Sequence, residues 1–302
     1  MSVHIPVLLK EVIECLDPQP GQNFVDCTIN GGGHSLEIFK KIGPDGKILG
    51  IDWDSGVLEK LADKLDQQTD KQIKKNFILV CDNYRNLKNI VSDNNFSPVY
   101  GVLFDLGMSS WQLEASGRGF SFQKDEPLDM RYSKNQTLTA KEIINQWPEE
   151  ELIRIFREYG EERRARAIAK AIVFRRKKSS IESTMDLVEI VRGAIPARHR
   201  FGRIHFATRI FQALRIAINR ELENLSKGLE AATDVLAVGG RLTVISFHSL
   251  EDRIVKNFLR GRAKENRLKI LTKKSVAPDW REAQENPRSR SAKLRAAIKL
   301  SA

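Results

Sequence analysis

The chain has 302 residues, of which 41% are hydrophobic and 29% are charged, so it can build a core and intrinsic disorder is not expected. It contains no apolar run of the ~20 residues needed to cross a bilayer, which excludes a transmembrane helix. The three cysteines, Cys15, Cys27 and Cys81, form no CxxC pair. A disulfide framework and a structural zinc site are therefore disfavoured, and a cytoplasmic protein is expected.

The net charge of +11 is unevenly distributed along the chain. Residues 161–220 contain 15 basic and 5 acidic residues, and residues 253–299 contain 15 basic and 4 acidic ones, which leaves −10 for the remainder. Such a split favours a polyanionic partner, because each Lys or Arg placed on a phosphate releases a counterion. The alternative is that both segments are solvated basic surfaces.

The first third of the chain alternates helices with short apolar strands. A helix is expected over Val7–Leu16, and helical spacing recurs over residues 35–42 and 57–65. The predicted strands are Phe24–Thr28, Lys47–Ile51, Phe77–Val80 and Val99–Phe104. This alternation predicts βαβ units and a mostly parallel sheet.

The alternation then stops for about 135 residues. The next strand, Arg241–Phe247, follows a Gly239-Gly240 turn. A crossover needs only about a dozen residues. The extra residues have helical patterns at Glu149–Tyr159, Glu162–Lys178, Thr184–Ala194 and Ala207–Leu225. We therefore expect an inserted helical domain over residues 111–210, with residues 1–110 and 211–302 forming the sheet domain. After a helix at 251–260, two strand-like runs are Leu268–Thr272 and Leu294–Leu300.

A glycine-rich loop, Asn30-Gly31-Gly32-Gly33-His34, follows the first strand. Glycines there allow close approach of a ligand to the backbone, although a plain tight turn is the alternative. Asp52, at the end of the second strand, can accept hydrogen bonds from a ribose diol, or can be an exposed turn carboxylate. The loop lacks the G-x-G-x-x-G pattern of pyrophosphate binding. S-adenosylmethionine is therefore the expected cofactor, with Asp26 as a carboxylate for its ammonium group.

Side chains after the third and fourth strands belong to the same predicted edge. Tyr84 can cover an adenine face or pack at the edge of the sheet. Asp105 is expected where methyl donor and acceptor meet, because a carboxylate polarises the N–H of an exocyclic amine. Its alternative is a structural Asp that caps the following turn.

His248, after the fifth strand, is either a residue of the site or a structural histidine. Ser249-x-x-Asp252 has the spacing of a capping box. A hydrolase triad is excluded because the G-x-S-x-G elbow is absent. His4, His199 and His205 are too far apart in sequence to suggest a metal, and none is expected.

The predicted insert combines aromatic and basic residues, as expected for stacking an extruded base and holding an RNA backbone. The aromatic candidates are Trp111, Phe120, Phe122, Tyr132 and Trp147, each of which can equally belong to the core of the insert. The basic candidates are Arg163, Arg164, Arg166, Arg175, Arg176, Lys177 and Lys178, to which the C-terminal turn adds Arg288 and Arg290.

Several long segments together resemble the ribosomal RNA small subunit methyltransferase H family over nearly the whole chain. They include NGGGHS, ILGIDWD, FDLGMSSWQL, RGFSFQKDEPLDMR, YGEERRARAIAKAI, ATRIFQALRI, LAVGGRLTVISFHSLEDRIVK and NPRSRSAKLR. The resemblance implies a class I S-adenosylmethionine-dependent methyltransferase fold, Rossmann-like, with an inserted all-helical domain. It also implies N4-methylation of a cytidine in the decoding region of 16S rRNA within the small ribosomal subunit. The cofactor contacts it implies are Gly32, Gly33, His34, Asp52, Tyr84, Asp105 and Gln112.

Two other functions stay open at this point: a non-catalytic RNA-binding ribosome-assembly factor, and an amino-methyltransferase acting on DNA or tRNA. The general base and a homodimeric state are also left open. No membrane partner is expected.

Overall fold

The computed structural model describes residues 6–67, 71–202 and 204–301, so His4 lies outside the described residues. The strands of the described part are β1 (Phe24–Asp26), β2 (Ile48–Asp52), β3 (Phe77–Cys81), β4 (Val99–Asp105), β5 (Leu236–Ser246), β6 (Leu268–Ile270) and β7 (Lys293–Lys299). All the strand-like runs of the sequence are strands of the structure, and apart from β5 their ends differ from the prediction by at most two residues.

The helices are more numerous than sequence periodicity indicates. They are α1 (Leu9–Leu16), α2 (Gly33–Ile42), α3 (Ser55–Asp66), α4 (Lys71–Asn76), α5 (Leu87–Asp93), α6 (Ser110–Glu114), α7 (Ala140–Gln146), α8 (Glu149–Glu158), α9 (Ala165–Arg176), α10 (Thr184–Ala194), α11 (Thr208–Asn219), α12 (Glu221–Val235), α13 (Ser249–Lys264) and α14 (Trp280–Glu285). The unpredicted α4, α5, α6, α7 and α14 have five to seven residues each, too few for a clear 3.6-residue period. None of the helices in the described ranges has the length and apolarity that a bilayer span requires.

The strands form one seven-stranded sheet in the order β3-β2-β1-β4-β5-β7-β6. Strands β1 to β5 are parallel, whereas β7 pairs antiparallel with both β5 and β6. The chain reverses its direction of travel across the sheet at β1, which has β2 on one side and β4 on the other. In open α/β sheets, ligands bind beyond the carboxyl ends of the strands at such a switch point. This is the sheet of a class I methyltransferase, as expected.

The sheet is covered by a hydrophobic core on each face. Alternate residues such as Val25, Ile51 and Phe104 pack with apolar residues of α5, α12 and α13 on one face. Phe24 and Ile48 belong to the core on the other face, with residues of α1, α2 and α3. Because both faces are covered, the parallel strands β1 to β4 are apolar nearly throughout, as in other parallel sheets. The strand ends are therefore where polar side chains collect.

Strand β5 begins five residues earlier than predicted. Its pairing with β4 runs from Val99↔Leu236 to Gly101↔Arg241, so five steps on β5 match two on β4. The extra residues form a bulge that contains Gly239, whose φ of 82° favours glycine. The predicted Gly-Gly turn is thus a bulge inside β5, followed by regular pairing up to Asp105↔Ile245.

The chain divides into two compact units. The first contains residues up to Ser109 and from Leu222 onward, and the second contains Ser110–Glu221. The predicted second boundary, at residue 210, falls inside α11, whose buried residues include Phe211 and Leu214. Helix α11 packs against α7 and α8, which explains why it belongs to the second unit.

The second unit is helical, and side chains define where its helices start. Thr139 with Glu142 and Ser183 with Asp186 form capping boxes at α7 and α10. The single helix predicted over Ala207–Leu225 is wrong. Arg220 adopts the left-handed conformation, with φ 50° and ψ 39°, and separates α11 from α12. Apolar periodicity continues across this residue, so the sequence pattern alone does not reveal the break.

Lys299 holds the junction between α12 and β5. The side chain is only 5% exposed. Its Nζ donates to the carbonyl oxygens of Asp234 (3.2 Å) and Leu236 (2.7 Å). A cation at a helix C-terminus is also favoured by the helix dipole.

We expect Lys299→Met to destabilise the protein by roughly 1–3 kcal/mol, because the two carbonyls lose a charged donor while the aliphatic stem is kept. Chemical denaturation followed by circular dichroism measures this. Lys269→Met, at an exposed position of the neighbouring β6, is the matched control. Equal unfolding free energies for the two variants would contradict the assigned role.

Candidate active site

Three aspartates end three adjacent strands. Asp26, Asp52 and Asp105 are the last residues of β1, β2 and β4, at the switch point of the sheet. They are 3%, 8% and 6% exposed. Neither Asp26 nor Asp52 forms an ion pair with Lys or Arg anywhere in the described ranges. The edge therefore carries buried acceptors, which suit a ligand that brings hydrogen-bond donors or positive charge.

The glycine-rich loop is shaped by packing as well as by ligand access. Gly32 is the N-cap of α2 with φ 73°, and a Cβ there would lie 2.7 Å from Leu61 Cδ1. A Cβ on Gly33 would lie 2.5 Å from Pro6 Cγ, whereas one on Gly31 would meet nothing within 4 Å. A side chain at Gly32 or Gly33 would therefore clash with Leu61 or Pro6, which explains glycine at both positions. Gly31 has open space around its Cα. Cofactor contact at Gly32 and Gly33 stays a prediction.

Asp26 is held by the loop and by the first turn of α2. Ser35 Oγ donates to its Oδ2 at 2.6 Å, and the Thr28 backbone N–H donates to its Oδ1 at 3.2 Å. Burial raises the pKa of Asp26, and the Ser35 hydrogen bond acts against this rise. The remaining lone pairs can accept from an ammonium group. Ser35 was not among the sequence candidates, although a hydroxyl on the first turn of the helix after the loop is a usable signal.

Asp52 has one free acceptor position on each carboxylate oxygen. Its Oδ1 accepts from the Asp54 N–H at 3.0 Å, and its Oδ2 accepts from the Asn30 N–H at 3.2 Å. Asn30 has a positive φ of 48°, a conformation that Asn tolerates better than most residues. Burial raises the pKa of Asp52 to about 7. Two oxygens with spare lone pairs match the two hydroxyls of a ribose diol.

His34 and Asp105 face each other at the end of β4. His34 Nε2 lies 2.9 Å from the Val7 carbonyl oxygen, so this nitrogen carries the proton, because a carbonyl only accepts. Nδ1 lies 3.6 Å from Asp105 Oδ2. Burial lowers the pKa of His34, although the charge of Asp26 acts against this. In the neutral imidazole, Nδ1 is an acceptor that faces a carboxylate, so the pair is arranged to share an added proton.

Asp105 is also positioned through its backbone. Its N–H donates to Thr28 Oγ1 at 2.6 Å, which links the end of β4 to the loop after β1. The Gly107 N–H lies 3.4 Å from Asp105 Oδ1. Sequence reasoning did not single out Thr28, which has no motif around it.

Tyr84 packs partly into the core. Its ring centroid lies 5.4 Å from that of Phe104 at an interplanar angle of 84°. A Cβ on Gly228 of α12 would lie 2.7 Å from Tyr84 Cδ2, so the helix passes directly over the ring. Tyr84 therefore packs against Phe104 and α12, and the adenine contact stays a prediction.

His248 is the N-cap of α13, one residue before the predicted cap. Its Nδ1 accepts from the Glu251 N–H at 3.4 Å, and Glu251 Oε2 accepts from the His248 N–H at 3.3 Å. The capping box expected between Ser249 and Asp252 is therefore wrong, because His248 and Glu251 form the box one residue earlier. Asp252 instead binds Arg295 at 2.7 Å. His248 Nε2 is buried 3.1 Å from Glu251 Oε1 without the alignment of a hydrogen bond.

The other sequence candidates lie in the second unit or near the C-terminus. Gln112 is buried on α6 of the second unit. Phe120 is buried and stacks on Tyr132 (5.4 Å between centroids), and Phe122 stacks on His205 (4.5 Å). Trp111 and Trp147 are half-buried. These aromatic residues are at least partly packed within the unit.

The predicted RNA-binding residues differ in exposure. Arg176 donates to the Ile144 carbonyl at 2.8 Å, which gives it a structural role, and Arg164 and Arg175 are half-buried. The exposed members are Arg163, Arg166, Lys177 and Lys178 in the second unit and Arg288 and Arg290 in the first. Ser289 between the last two is fully buried, so the basic C-terminal turn is anchored by its serine.

The raised pKa of Asp52 makes stability depend on pH. The folded protein keeps a proton that the unfolded chain releases above about pH 4, so this group's contribution to stability is lost as the pH rises through about 7. Asp52→Asn removes that loss. Between pH 5 and 8.5, the unfolding free energy of the variant should gain roughly 2–3 kcal/mol relative to the wild type. Denaturant unfolding at both pH values measures this.

Asp45→Asn is the matched control, because Asp45 is exposed in the turn before β2. The difference in unfolding free energy between Asp45→Asn and the wild type should be the same at pH 5 and at pH 8.5. A pH-independent difference for Asp52→Asn as well would show that Asp52 is not protonated in the folded protein.

Comparisons with known proteins place the chain in a family. The model of the MraW methylase family matches residues 1–300. Ribosomal RNA small subunit methyltransferase H of Carboxydothermus hydrogenoformans is 47% identical, over 99% of this chain and 98% of its own length. The proteins of the same name from Dictyoglomus thermophilum and Persephonella marina are each 46% identical, over 97% and 99% of this chain and 96% and 100% of their own lengths.

Among solved structures, an rRNA methylase from Streptococcus thermophilus superposes with a TM-score of 0.45 at 12% identity, covering 99% of this chain and 100% of that one. The carboxylates and loop at the carboxyl ends of β1, β2 and β4 fit the ammonium, diol and positive charge of S-adenosylmethionine. The chain belongs to the MraW methylase family and uses S-adenosylmethionine as its methyl donor.

Proposed function

We propose that the protein methylates the N4 amine of a cytidine in 16S rRNA of the small ribosomal subunit. The observation that carries this proposal is the set of buried carboxylates at the switch point of the sheet. Asp26 and Asp52 there have spare acceptors and no Lys or Arg ion pair in the part of the chain that the structure describes. The names of the relatives support ribosomal RNA as the substrate.

Each strand end has a separate task in binding. Asp26, held by Ser35 and Thr28, would accept from the ammonium group. Asp52, oriented by Asn30 and Asp54, would accept from the ribose hydroxyls. When bound, S-adenosylmethionine supplies an electrophilic methyl group. Because these carboxylates already lie in place, little reorganisation is needed at the moment of reaction.

Asp105 is the residue proposed to act on the amine. A carboxylate that accepts from the amine N–H makes the nitrogen more electron-rich as its lone pair leaves conjugation. Methylation of the amine releases one proton. Asp105 Oδ2 would accept it, and His34 Nδ1, 3.6 Å away, would share it. His34 itself stays oriented by its hydrogen bond to Val7.

The substrate is tested by incubating the purified protein with radiolabelled S-adenosylmethionine and 30S subunits, free 16S rRNA, tRNA or DNA. Each RNA must come from cells that lack this modification. We expect label in N4-methylcytidine of 16S rRNA. Label in tRNA or DNA would support the amino-methyltransferase alternatives. No incorporation despite cofactor binding would support a non-catalytic assembly factor.

Asp105→Asn should lower the single-turnover rate about 10²–10⁴-fold, because the amide accepts a hydrogen bond but does not take the proton. The assay uses saturating cofactor and 30S subunits, with cofactor affinity measured separately by calorimetry. Asp45→Asn serves as the control. A rate for Asp105→Asn within a few-fold of the wild type would eliminate the proposed role of Asp105.

A further inference from the structure

Two phenylalanines of the second unit are left in solvent. Phe201 is 90% exposed, and Phe174 on α9 is 63% exposed. Single exposed apolar residues are common and need no explanation on their own. What distinguishes these two rings is the charge around them.

Helix α9 presents one face of basic residues around Phe174. Arg166, Lys170 and Phe174 follow one another at intervals of four residues, so they share a face, and all are exposed. Lys178 Nζ lies 4.9 Å from the centroid of the Phe174 ring. The opposite face of α9 is buried through residues such as Ile168 and Ile172. The basic face is therefore directed to solvent.

Phe201 lies in a second basic segment that reaches the start of α9. Arg198 and Arg200 precede it, and Arg200 Nε donates to the Ile195 carbonyl at 2.9 Å, which holds the segment. The segment follows α10, which packs against α9. After the segment, Arg209 Nη1 donates to the carbonyl oxygen of Glu161 at 3.2 Å, just before α9 begins.

The basic residues of these two segments lack acidic partners. Arg154, Arg192, Arg209 and Arg215 of the same unit each pair with a glutamate. By contrast, six basic residues form no ion pair within the described ranges: Arg163, Arg166, Lys170, Lys177, Lys178 and Arg198. Together with Phe174 and Phe201 we call these residues the basic aromatic face. Mutual repulsion among unpaired cations is relieved by a polyanion.

We propose that the basic aromatic face binds single-stranded RNA, with unpaired bases stacked on Phe201 and Phe174 and phosphates held by the surrounding Lys and Arg. An exposed aromatic ring can stack on an unpaired base of a single strand. In a duplex the bases stack on one another, and the protein contacts mainly phosphates and hydroxyls. The inference rests on RNA being the substrate.

The test is fluorescence anisotropy with a labelled single-stranded 20-nucleotide RNA of mixed sequence and with the corresponding duplex, across a series of salt concentrations. Phe201→Ala should weaken single-strand binding about 5- to 100-fold, the range expected for one stacked base. The slope of log affinity against log salt should not change. Arg166→Ala should instead reduce that slope by about 0.7, because one phosphate contact is lost.

Three variants serve as controls. Phe201→Tyr keeps a planar ring and should bind like the wild type, whereas Phe201→Leu keeps apolar surface without a ring and should bind like Phe201→Ala. Trp280→Ala removes a 74% exposed aromatic residue of the first unit and should leave binding unchanged. Wild-type affinity in both Phe201→Ala and Phe201→Leu, or an equal loss on the duplex, would overturn the proposal.

The binding assay and the methylation assay fail independently. If the wild-type protein binds single strands through Phe201 but transfers no methyl group to rRNA, the proposed function is contradicted and the RNA-binding role of the basic aromatic face is supported. If the protein methylates rRNA but substitution of Phe201 does not change its affinity for single strands, only the role of the basic aromatic face is contradicted.

Discussion

The structure depends on carboxylates that are buried at the ends of parallel strands and satisfied by backbone N–H groups and a hydroxyl. Desolvation of a carboxylate is costly, and a lysine or arginine partner would reduce that cost. Asp26 and Asp52 have no such partner in the described ranges, and burial raises the pKa of both carboxyl groups. A cofactor that donates hydrogen bonds then binds to acceptors that were already desolvated on folding. Its binding therefore offsets part of that desolvation free energy.

The same constraint explains the residues around the aspartates. Asn30 adopts a left-handed conformation so that its N–H meets Asp52, and Thr28 accepts from the Asp105 backbone N–H. Gly32 and Gly33 allow Leu61 and Pro6 to approach the loop. Residues of this loop therefore form hydrogen bonds to the aspartates at the ends of β1, β2 and β4. The loop thus has a structural role in addition to any role in binding.

The strands and their polar ends were predictable from sequence, because fully buried strands are apolar runs and the aspartates interrupt them. The break between α11 and α12 at Arg220 was not predictable, because a single left-handed residue does not interrupt the helical spacing of the apolar residues. The His248 cap was missed because imidazole is an uncommon cap. Exposure of the aromatic residues also required the structure: Phe120 and Phe174 both lie near basic residues in sequence, yet only the packing of α9 places Phe174 outside.

The position of the second unit between β4 and β5 has a consequence for synthesis. These neighbouring strands are separated by about 130 residues, from Asp105 to Leu236. At typical elongation rates of 5–20 residues per second, a ribosome needs roughly 7–26 s to cover that distance. During this interval the apolar edge of β4 is unpaired while the nascent chain grows. Such an edge is a template for pairing with other chains until β5 emerges.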